Sequence, residues 1–301
     1  MNDSNRPPRQ TPAFHPGDWL RNLLQYLYPQ RLLSSLTYRL TRIRHPRLRN
    51  WLIRAFVRHF RVDLSEAAIS DPLGFEHFND FFTRALRPGI RPLAHGQHNP
   101  CCPVDGFVSQ AGIIEGETVF QAKGRSFSLN RLLGDDQQRA RPFLHGSFAT
   151  LYLSPRDYHR IHMPLTGTLR EMVHVPGKLF SVSPLTTRMI PGLFARNERV
   201  VTVFDTALGP MALVLVGAIN VSSIDTVWAG TVTPPRTQTI RRWHYPAQGP
   251  EAVTLERGAE MGRFNMGSTV IVLFGPDTVA WDPAIRPGAV LRMGQLLATS
   301  S

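Results

Sequence analysis

Residues 262–274 read Gly-Arg-Phe-Asn-Met-Gly-Ser-Thr-Val-Ile-Val-Leu-Phe, a largely polar stretch that leads directly into an apolar run. The run Val270–Phe274 is rich in β-branched and aromatic side chains and predicts a buried strand. Gly267 and Ser268 stand at the start of that strand, where the serine hydroxyl can attack the chain's own backbone. Two interpretations stay open on this motif alone. One is a turn, in which the hydroxyl caps a neighbouring amide, and the other is a self-cleaving bond.

Short apolar runs punctuated by glycine and proline continue from about residue 100 to the C-terminus. Their spacing predicts a mixed, largely antiparallel β-rich body, because the pattern lacks the helical segments that alternate with strands in repeated βαβ units. The predicted strands are Gly106–Ile114, Glu117–Lys123, Gly146–Leu153, Thr168–Val175, Arg199–Phe204, Met211–Ile219, Thr269–Phe274 and Val279–Trp281.

The first 62 residues show a different pattern, that of three short amphipathic helices. The apolar stripes contain Trp19, Leu20, Leu23, Leu24, Leu27 and Tyr28 in the first helix, Leu33, Leu36, Leu40 and Ile43 in the second, and Leu48, Trp51, Leu52, Ala55, Phe56, His59 and Phe60 in the third. A further helix is predicted around Phe75–Phe82. The expected fold class is therefore α+β, with N-terminal amphipathic helices before the β-rich body.

Positive charge is concentrated in the same N-terminal region. Residues 1–62 contain 12 Arg and 2 Asp and carry +10 of the formal net charge of +12. We therefore expect a basic, membrane-associating arm at 1–62 and a catalytic domain at 63–301. Arginine opposite Trp, Phe and Leu is typical of a helix that lies on an anionic membrane surface. The alternative is that the apolar stripes pack on the body. Nucleic acid is not expected, because no zinc finger, RRM or basic zipper signature is present.

The cysteines and the hydropathy pattern bear on the cellular setting. Cys101 and Cys102 are adjacent, which makes a disulfide between them geometrically poor and favours a reducing compartment. The N-terminus lacks the apolar segment of a signal peptide. The uncharged stretch Thr206–Ile224 is interrupted by Gly209-Pro210 and by polar residues, which favours a buried strand over a membrane span.

The polar centre of the body is Tyr152–Pro164, which contains His159 and His162. The two rings would lie close together in a helical turn and on opposite faces in an extended segment. No metal is expected, because a structural zinc site needs four ligands and no Cys, Asp or Glu cluster stands nearby in sequence. Acid/base chemistry is favoured instead. Asp105 is either a turn residue or the third member of a nucleophile, base and orienter system with a histidine and Ser268.

Four motifs, taken in order, resemble those of bacterial phosphatidylserine decarboxylases: Tyr152–Pro164, Leu193–Val200, Val227–Pro235 and Gly262–Thr269. The likeness runs from about Phe75 to the C-terminus. The family usually has Leu-Gly-Ser-Thr at its cleavage site, and this chain has Met266 in place of the leucine. Because leucine and methionine have similar volume and polarity, we expect the change to leave the chemistry unaltered.

This resemblance implies a proenzyme that cleaves itself between Gly267 and Ser268. His162, oriented by Asp105, would take the proton of the Ser268 hydroxyl, and the oxygen would attack the Gly267 carbonyl to give an ester. Elimination would release residues 1–267 as a large subunit. The dehydroalanine left at position 268 would hydrolyse to a pyruvoyl group at the start of the small subunit, residues 268–301.

The same resemblance implies a reaction and its partners. The covalent pyruvoyl cofactor would form a Schiff base with phosphatidylserine, carbon dioxide would leave, and His159 would supply a proton to give phosphatidylethanolamine. The expected enzyme is peripheral, lies on the cytoplasmic face of the cell membrane and contains the two subunits of one precursor, with a homodimer of that pair as a further expectation. The alternatives are a serine hydrolase that uses Asp105, His162 and Ser268 without self-cleavage, and a non-catalytic membrane-surface scaffold.

Overall fold

The computed structural model describes residues 29–122, 124–219, 223–234, 237–266 and 269–301. The first predicted arm helix, over Trp19–Tyr28, lies outside these residues. Gly267 and Ser268, the two sides of the predicted cleavage bond, lie outside them as well. The flanking residues Met266 and Thr269 are described.

Two helices of the N-terminal region form close to their predicted positions, α1 over Gln30–Leu40 and α2 over Pro46–Phe60. Pro46 occupies the first turn of α2, where its missing N–H costs no hydrogen bond. The third helix, α3 over Phe78–Phe82, is shorter than the segment predicted for it. The other α-helices of the described residues are α4 (Leu129–Leu132), α5 (Gln137–Ala140), α6 (Pro184–Met189) and α7 (Leu193–Arg196).

Antiparallel sheets form the body. The strands of the described residues are β1 (Gly106–Ile113), β2 (Thr118–Ala122), β3 (Arg125–Ser128), β4 (Ser147–Tyr152), β5 (Arg160–His162), β6 (Gly167–Val175), β7 (Arg199–Thr206), β8 (Gly209–Val216), β9 (Ser223–Thr226), β10 (Gly230–Thr233), β11 (Arg241–His244), β12 (Thr254–Leu255), β13 (Glu260–Asn265), β14 (Thr269–Phe274), β15 (Val279–Trp281), β16 (Val290–Leu291) and β17 (Ala298–Ser300).

The large sheet has the strand order β11-β6-β7-β8-β14-β4-β1-β16, and β12 also pairs with β6. A smaller sheet has the order β10-β9-β13-β5, and two further pairs are β2 with β3 and β15 with β17. All of these pairings are antiparallel. With its helices mostly N-terminal and its body built of antiparallel sheet, the chain has the predicted α+β class.

β14 is a central strand of the large sheet, between β8 and β4. All of its residues are buried, which explains why its sequence shows no alternation of polar and apolar side chains. Each large apolar side chain buried here contributes about 1.5–3 kcal/mol to stability. Its first residue, Thr269, lies opposite Tyr152 of β4 and Val216 of β8.

β13 and β14 follow one another in the chain but belong to different sheets. β13 ends at Asn265 in the small sheet, and β14 begins at Thr269 in the large one. Residues 266–268 therefore connect the two sheets. The predicted cleavage bond lies in this connection.

A cluster of phenylalanines joins α2 to the body. Ile53 of α2 is buried there with Val62, and Met266 packs against the same cluster. The apolar face of α2 thus packs in part on the body, as the second interpretation of the arm helices predicted. The members of this phenylalanine cluster are Phe75, Phe78, Phe81 and Phe82.

α1 has the opposite arrangement. Its three leucines at four-residue spacing, Leu32, Leu36 and Leu40, are exposed, whereas Ser34 and Thr41 are buried. Of the predicted apolar stripe, Leu36, Leu40 and Ile43 are thus exposed and Leu33 is half-buried. Among the described helices, none is long and apolar enough to cross a membrane.

All eight predicted strands are present, with ends that differ by up to three residues. The sequence pattern missed several short strands, among them β5, β9 and β13 of the small sheet. β13 was missed because its burial does not alternate and its residues include Gly262, Arg263 and Asn265. Cys101 and Cys102 are both buried and free, in agreement with the prediction that they form no disulfide.

Candidate active site

His159 and His162 lie in an extended segment, which confirms that alternative for the histidine pair. β5 begins one residue after His159 and ends at His162. Because an extended chain turns such residues to different faces, the two rings have different neighbours. His159 stacks on Phe82 with ring centroids 4.1 Å apart, and His162 contacts Tyr158. The two imidazoles are therefore separate groups with separate environments.

Two hydrogen bonds fix the ring of His162. Nδ1 lies 2.8 Å from the carbonyl oxygen of Gly258, and Nε2 lies 2.9 Å from the hydroxyl of Tyr158. Because a carbonyl oxygen only accepts, Nδ1 carries the proton of the neutral ring, and the lone pair is on Nε2, to which Tyr158 donates. Burial lowers the pKa of His162, and the Gly258 carbonyl offsets part of that effect. His162 is thus a neutral base at pH 7.

The Tyr158 hydroxyl keeps its proton near neutral pH. Burial raises its pKa above the ordinary value for a tyrosine. It therefore acts on His162 as a hydrogen-bond donor and occupies the lone pair that a base needs. The sequence did not single out Tyr158, although it stands next to His159 in a motif that was singled out.

Asp105 is held by partners other than His162. Arg91 donates to both carboxylate oxygens, over 3.1 Å from Nε and 2.5 Å from Nη2, and the Met293 amide donates over 2.8 Å. In the described part of the chain, no hydrogen bond joins Asp105 to His162, although the His162 amide donates to the carbonyl of Pro103. The Asp105 charge favours the protonated form of His162 and so makes it a stronger base. Gly258, rather than Asp105, orients the imidazole in this structure.

His159 is completely buried, and neither of its ring nitrogens has a hydrogen-bond partner among the described residues. Burial lowers its pKa to about 3, and the positive charge of Arg84 acts in the same direction. The carbonyl groups of Ser154 and Pro155 favour the protonated ring but do not reach hydrogen-bonding geometry. Both nitrogens are therefore able to bind a group brought into the site. His159 is neutral at pH 7.

A polar network holds the residue at the end of β13. The side-chain amide of Asn265 donates to Ser223 Oγ over 2.5 Å and to Asp225 Oδ2 over 2.7 Å, and its oxygen accepts from Asn79 Nδ2 over 2.7 Å. Arg42 Nη2 donates to Ser223 Oγ over 3.2 Å, which ties the segment after α1 to the same network. Sequence reasoning missed these residues. The available signal was a polar side chain next to phenylalanine, as in Phe264-Asn265 and Phe78-Asn79.

The two described residues beside the predicted bond are unusual. Met266 has a φ of 80°, a value that costs strain in a residue with a side chain, and its side chain packs on the phenylalanine cluster. The hydroxyl of Thr269 is buried and has no hydrogen-bond partner among the described residues. The Phe264 amide donates to the His159 carbonyl over 3.1 Å, which places His159 beside the segment that leads to the bond.

Comparison with known proteins identifies a family and close relatives of this chain. The family model of phosphatidylserine decarboxylase matches residues 78–299, and a second model, described as PSD, matches residues 20–61. The phosphatidylserine decarboxylase proenzyme of Methylococcus capsulatus is 58% identical over 276 residues, which cover 92% of this chain and 95% of that protein. The proenzyme of Azotobacter vinelandii is 56% identical over 284 residues, covering 94% of this chain and 99% of that protein. The Bordetella pertussis proenzyme is 58% identical over 276 residues, or 91% and 92% of the two chains.

Proposed function

Because this chain belongs to the phosphatidylserine decarboxylase family, we propose that it cuts itself between Gly267 and Ser268 and that residue 268 becomes the pyruvoyl group of the active enzyme. The observation that carries the proposal is a pair of buried, neutral histidines along β13, with His159 beside Phe264 near the end of the strand and His162 opposite Glu260 at its start. His162 is a base whose lone pair is on Nε2. His159 has no hydrogen-bond partner at either ring nitrogen among the described residues.

In the cleavage step, His162 Nε2 takes the proton of the Ser268 hydroxyl. The serine oxygen bonds to the Gly267 carbonyl carbon, the peptide C–N bond breaks, and the amine of residue 268 takes the proton. Nε2 is the ring nitrogen that can accept this proton, because the hydrogen bond to the Gly258 carbonyl keeps the ring's own proton on Nδ1. Tyr158 must turn away first, since its hydroxyl occupies the same lone pair. Asp105 supports the transfer through its charge.

The resulting ester is then eliminated. The Cα proton of residue 268 is removed, the Cβ–O bond breaks, and the carboxylate leaves on residues 1–267. Water then replaces the amine of residue 268, which departs as ammonia. The products are a large subunit, residues 1–267, and a small subunit, residues 268–301 with a pyruvoyl group at its start.

The residues around the connection fit a small polar group formed there. Buried polar atoms of His159 and Thr269 lack hydrogen-bond partners among the described residues, so a carbonyl formed between β13 and β14 would find unused donors beside it. The pyruvoyl group supplies a ketone that condenses with the serine amine of the substrate and accepts the electron pair left by departing carbon dioxide.

His159 is the residue we propose for proton delivery after carbon dioxide leaves. Its ring is neutral in the substrate-free structure, because burial disfavours the charged form. An anionic headgroup brought next to it offsets that penalty and favours protonation. The acid would thus form when substrate is bound. Phe82, stacked on the ring, fixes its plane.

We propose an anionic membrane surface as the site of action. The exposed leucines of α1 and exposed Trp51 of α2 offer apolar side chains, and the neighbouring Arg39, Arg47 and Arg54 are exposed as well. Such a combination binds at the interface of an anionic bilayer. A peripheral enzyme docked in this way reaches a lipid headgroup without extracting the acyl chains. The cytoplasmic face is the expected side.

Intact mass spectrometry of the purified wild-type protein and of the variant Ser268→Ala tests the proposal. Wild type should give two chains, with a pyruvoyl group in place of the amino-terminal serine of the smaller one. The variant should give one uncut chain that releases no carbon dioxide from phosphatidylserine. A serine hydrolase or a scaffold predicts a single chain for both proteins, and two chains from the variant would place the chemistry at another residue.

A further inference from the structure

Arg84, two residues after α3, is a buried cation with unused hydrogen-bonding capacity. It is 5% exposed, and its Nη2 donates to the carbonyl oxygens of Arg156 over 2.9 Å and Asp157 over 3.4 Å. Nε and Nη1 are also buried, and neither has a hydrogen-bond partner among the described residues. Each of these two nitrogens can still donate a charge-assisted hydrogen bond to an anion.

The carboxylates whose charge acts on Arg84 are bound elsewhere. Asp105 is paired with Arg91, Asp157 Oδ2 accepts from the Ser154 amide over 2.7 Å, and Asp63 Oδ1 accepts from the Ser65 amide over 2.8 Å. Within the described ranges, no carboxylate lies within ion-pair distance of Arg84. A buried guanidinium without an anion is costly, and burial accordingly lowers the pKa of Arg84. A ligand with an anionic group that binds to the guanidinium would explain why Arg84 is buried without a carboxylate partner.

Arg84 lies next to the groups placed in the reaction. Its Nη2 is held by residues 156 and 157, just before His159, and its charge acts on the His159 ring. Phe82, two residues earlier in the chain, stacks on that ring. On its other side, α3 packs against α2 of the N-terminal arm. Arg84 thus follows, by two residues, a helix that contacts both α2 and His159.

We propose that Arg84 binds the phosphodiester of the lipid headgroup through its unused guanidinium N–H groups, an inference that rests on the proposed function. Of the two anions of phosphatidylserine, the carboxylate loses its charge as carbon dioxide leaves. A cation paired with it would stabilise the substrate more than the transition state and would slow the reaction. The phosphodiester keeps its charge throughout. It also lies next to the serine group in the lipid, which matches the place of Arg84 on the segment that leads to His159.

This assignment links substrate binding to the state of His159. The positive charge of Arg84 opposes protonation of the imidazole in the free protein. A bound phosphodiester neutralises that charge and adds a negative one nearby. The proton donor would therefore become available when the headgroup is seated, and not before.

The test compares wild type with Arg84→Met, Arg84→Lys and the control Arg170→Met, which removes an exposed arginine paired with Asp205 on the large sheet. Each protein is assayed for two-chain processing by intact mass, for KM and kcat with phosphatidylserine in detergent micelles, and for inhibition by glycerophosphoethanolamine. That inhibitor has the phosphodiester but neither the carboxylate nor the acyl chains.

Arg84→Met should be processed like wild type, with KM raised about 10- to 100-fold and kcat little changed, because a charge-assisted contact made equally before and during reaction is lost. The inhibition constant for glycerophosphoethanolamine should rise by a similar factor. Arg84→Lys keeps the charge but not the guanidinium N–H groups, so its KM and inhibition constant should lie between those of wild type and Arg84→Met. Arg170→Met should match wild type.

Three results would overturn the assignment. One is an unchanged KM and inhibition constant in both Arg84 variants. Another is a raised KM with unchanged inhibition by glycerophosphoethanolamine, which would assign Arg84 to the carboxylate. If neither variant folds, the wild-type enzyme decides: inhibition by glycerophosphoethanolamine no stronger than by ethanolamine would refute a phosphodiester site, and stronger inhibition would support it. A wild-type protein that stays uncut and inactive would instead refute the proposed function.

Discussion

The burial of a neutral His159 should make the stability of the protein fall in mild acid. In an unfolded chain a histidine takes a proton near pH 6.5, whereas the folded chain holds the pKa of His159 at about 3. The unfolded state therefore binds more protons than the folded state between these values. The contribution of His159 to the free energy of unfolding is fully present above pH 6.5 and is lost progressively as the pH falls toward 3. Lowering the pH from 7 to 5 should cost about 2 kcal/mol from His159 alone.

The perturbation that isolates this effect is His159→Phe in the Ser268→Ala background, where the proposal predicts a single chain. Phenylalanine can stack on Phe82 in place of the imidazole and has no proton to gain. His162, whose pKa is also lowered, remains in both proteins and cancels in the comparison. Carboxylates with lowered pKa values, such as Glu66, lose their contribution only below about pH 4.5.

The assay is urea unfolding at pH 7 and pH 5, followed by tryptophan fluorescence, with Ser268→Ala as the reference. The reference should lose about 2 kcal/mol more than the His159→Phe protein over this interval. The baseline stabilities of the two proteins can differ, because only the change with pH matters. Equal losses in the two proteins would refute the assignment of His159 as a buried, neutral group.

Two further predictions concern maturation and membrane binding. Tyr158→Phe frees the His162 lone pair by removing one hydrogen bond worth about 1 kcal/mol, so cleavage in a cell-free synthesis time course should proceed at the wild-type rate or up to about tenfold faster. A 100-fold slower cleavage of folded protein would show instead that Tyr158 relays the proton. The double variant Leu32→Ser/Leu36→Ser should bind vesicles of anionic phospholipid about tenfold more weakly for each leucine in sedimentation assays, since both side chains are exposed. Ile113→Ser, which removes an exposed apolar residue of β1, should bind like wild type, and equal binding by the leucine variant would exclude α1 from the membrane contact.

Much of the fold could be predicted from side-chain pattern. Long apolar runs such as Val270–Phe274 fix buried strands, and Pro46 fixes the start of α2. The small sheet could not be predicted in this way. Its strands are short and contain polar residues whose hydrogen-bond partners come from distant parts of the chain. Asn265, for example, binds Asn79 and Asp225, and no local pattern records such partners.

The candidate site, too, could be predicted from the sequence only in part. The sequence motifs pointed to His159, His162 and Asp105. The structure places His159 beside Phe264 near the end of β13 and His162 opposite Glu260 at its start. The partners of these residues could not be predicted, because they depend on which groups the fold brings alongside. Arg91 binds Asp105, and Gly258 binds His162, although neither residue carries a local signal for that role. The inward-facing Ser34 and outward-facing leucines of α1 likewise depend on how the helix sits on the body.

The position of β14 has a consequence for the lifetime of the mature enzyme. A cut between Gly267 and Ser268 would leave this strand inserted between β8 and β4, and the same C-terminal fragment would still supply β16 to β1. The fragment could leave only if the large sheet came apart. Each molecule would therefore keep the pyruvoyl group that it formed during its own maturation. The group would not exchange between molecules and could not be replaced from free cofactor in solution. Loss of that group would be permanent, and recovery of activity would require synthesis of a new chain.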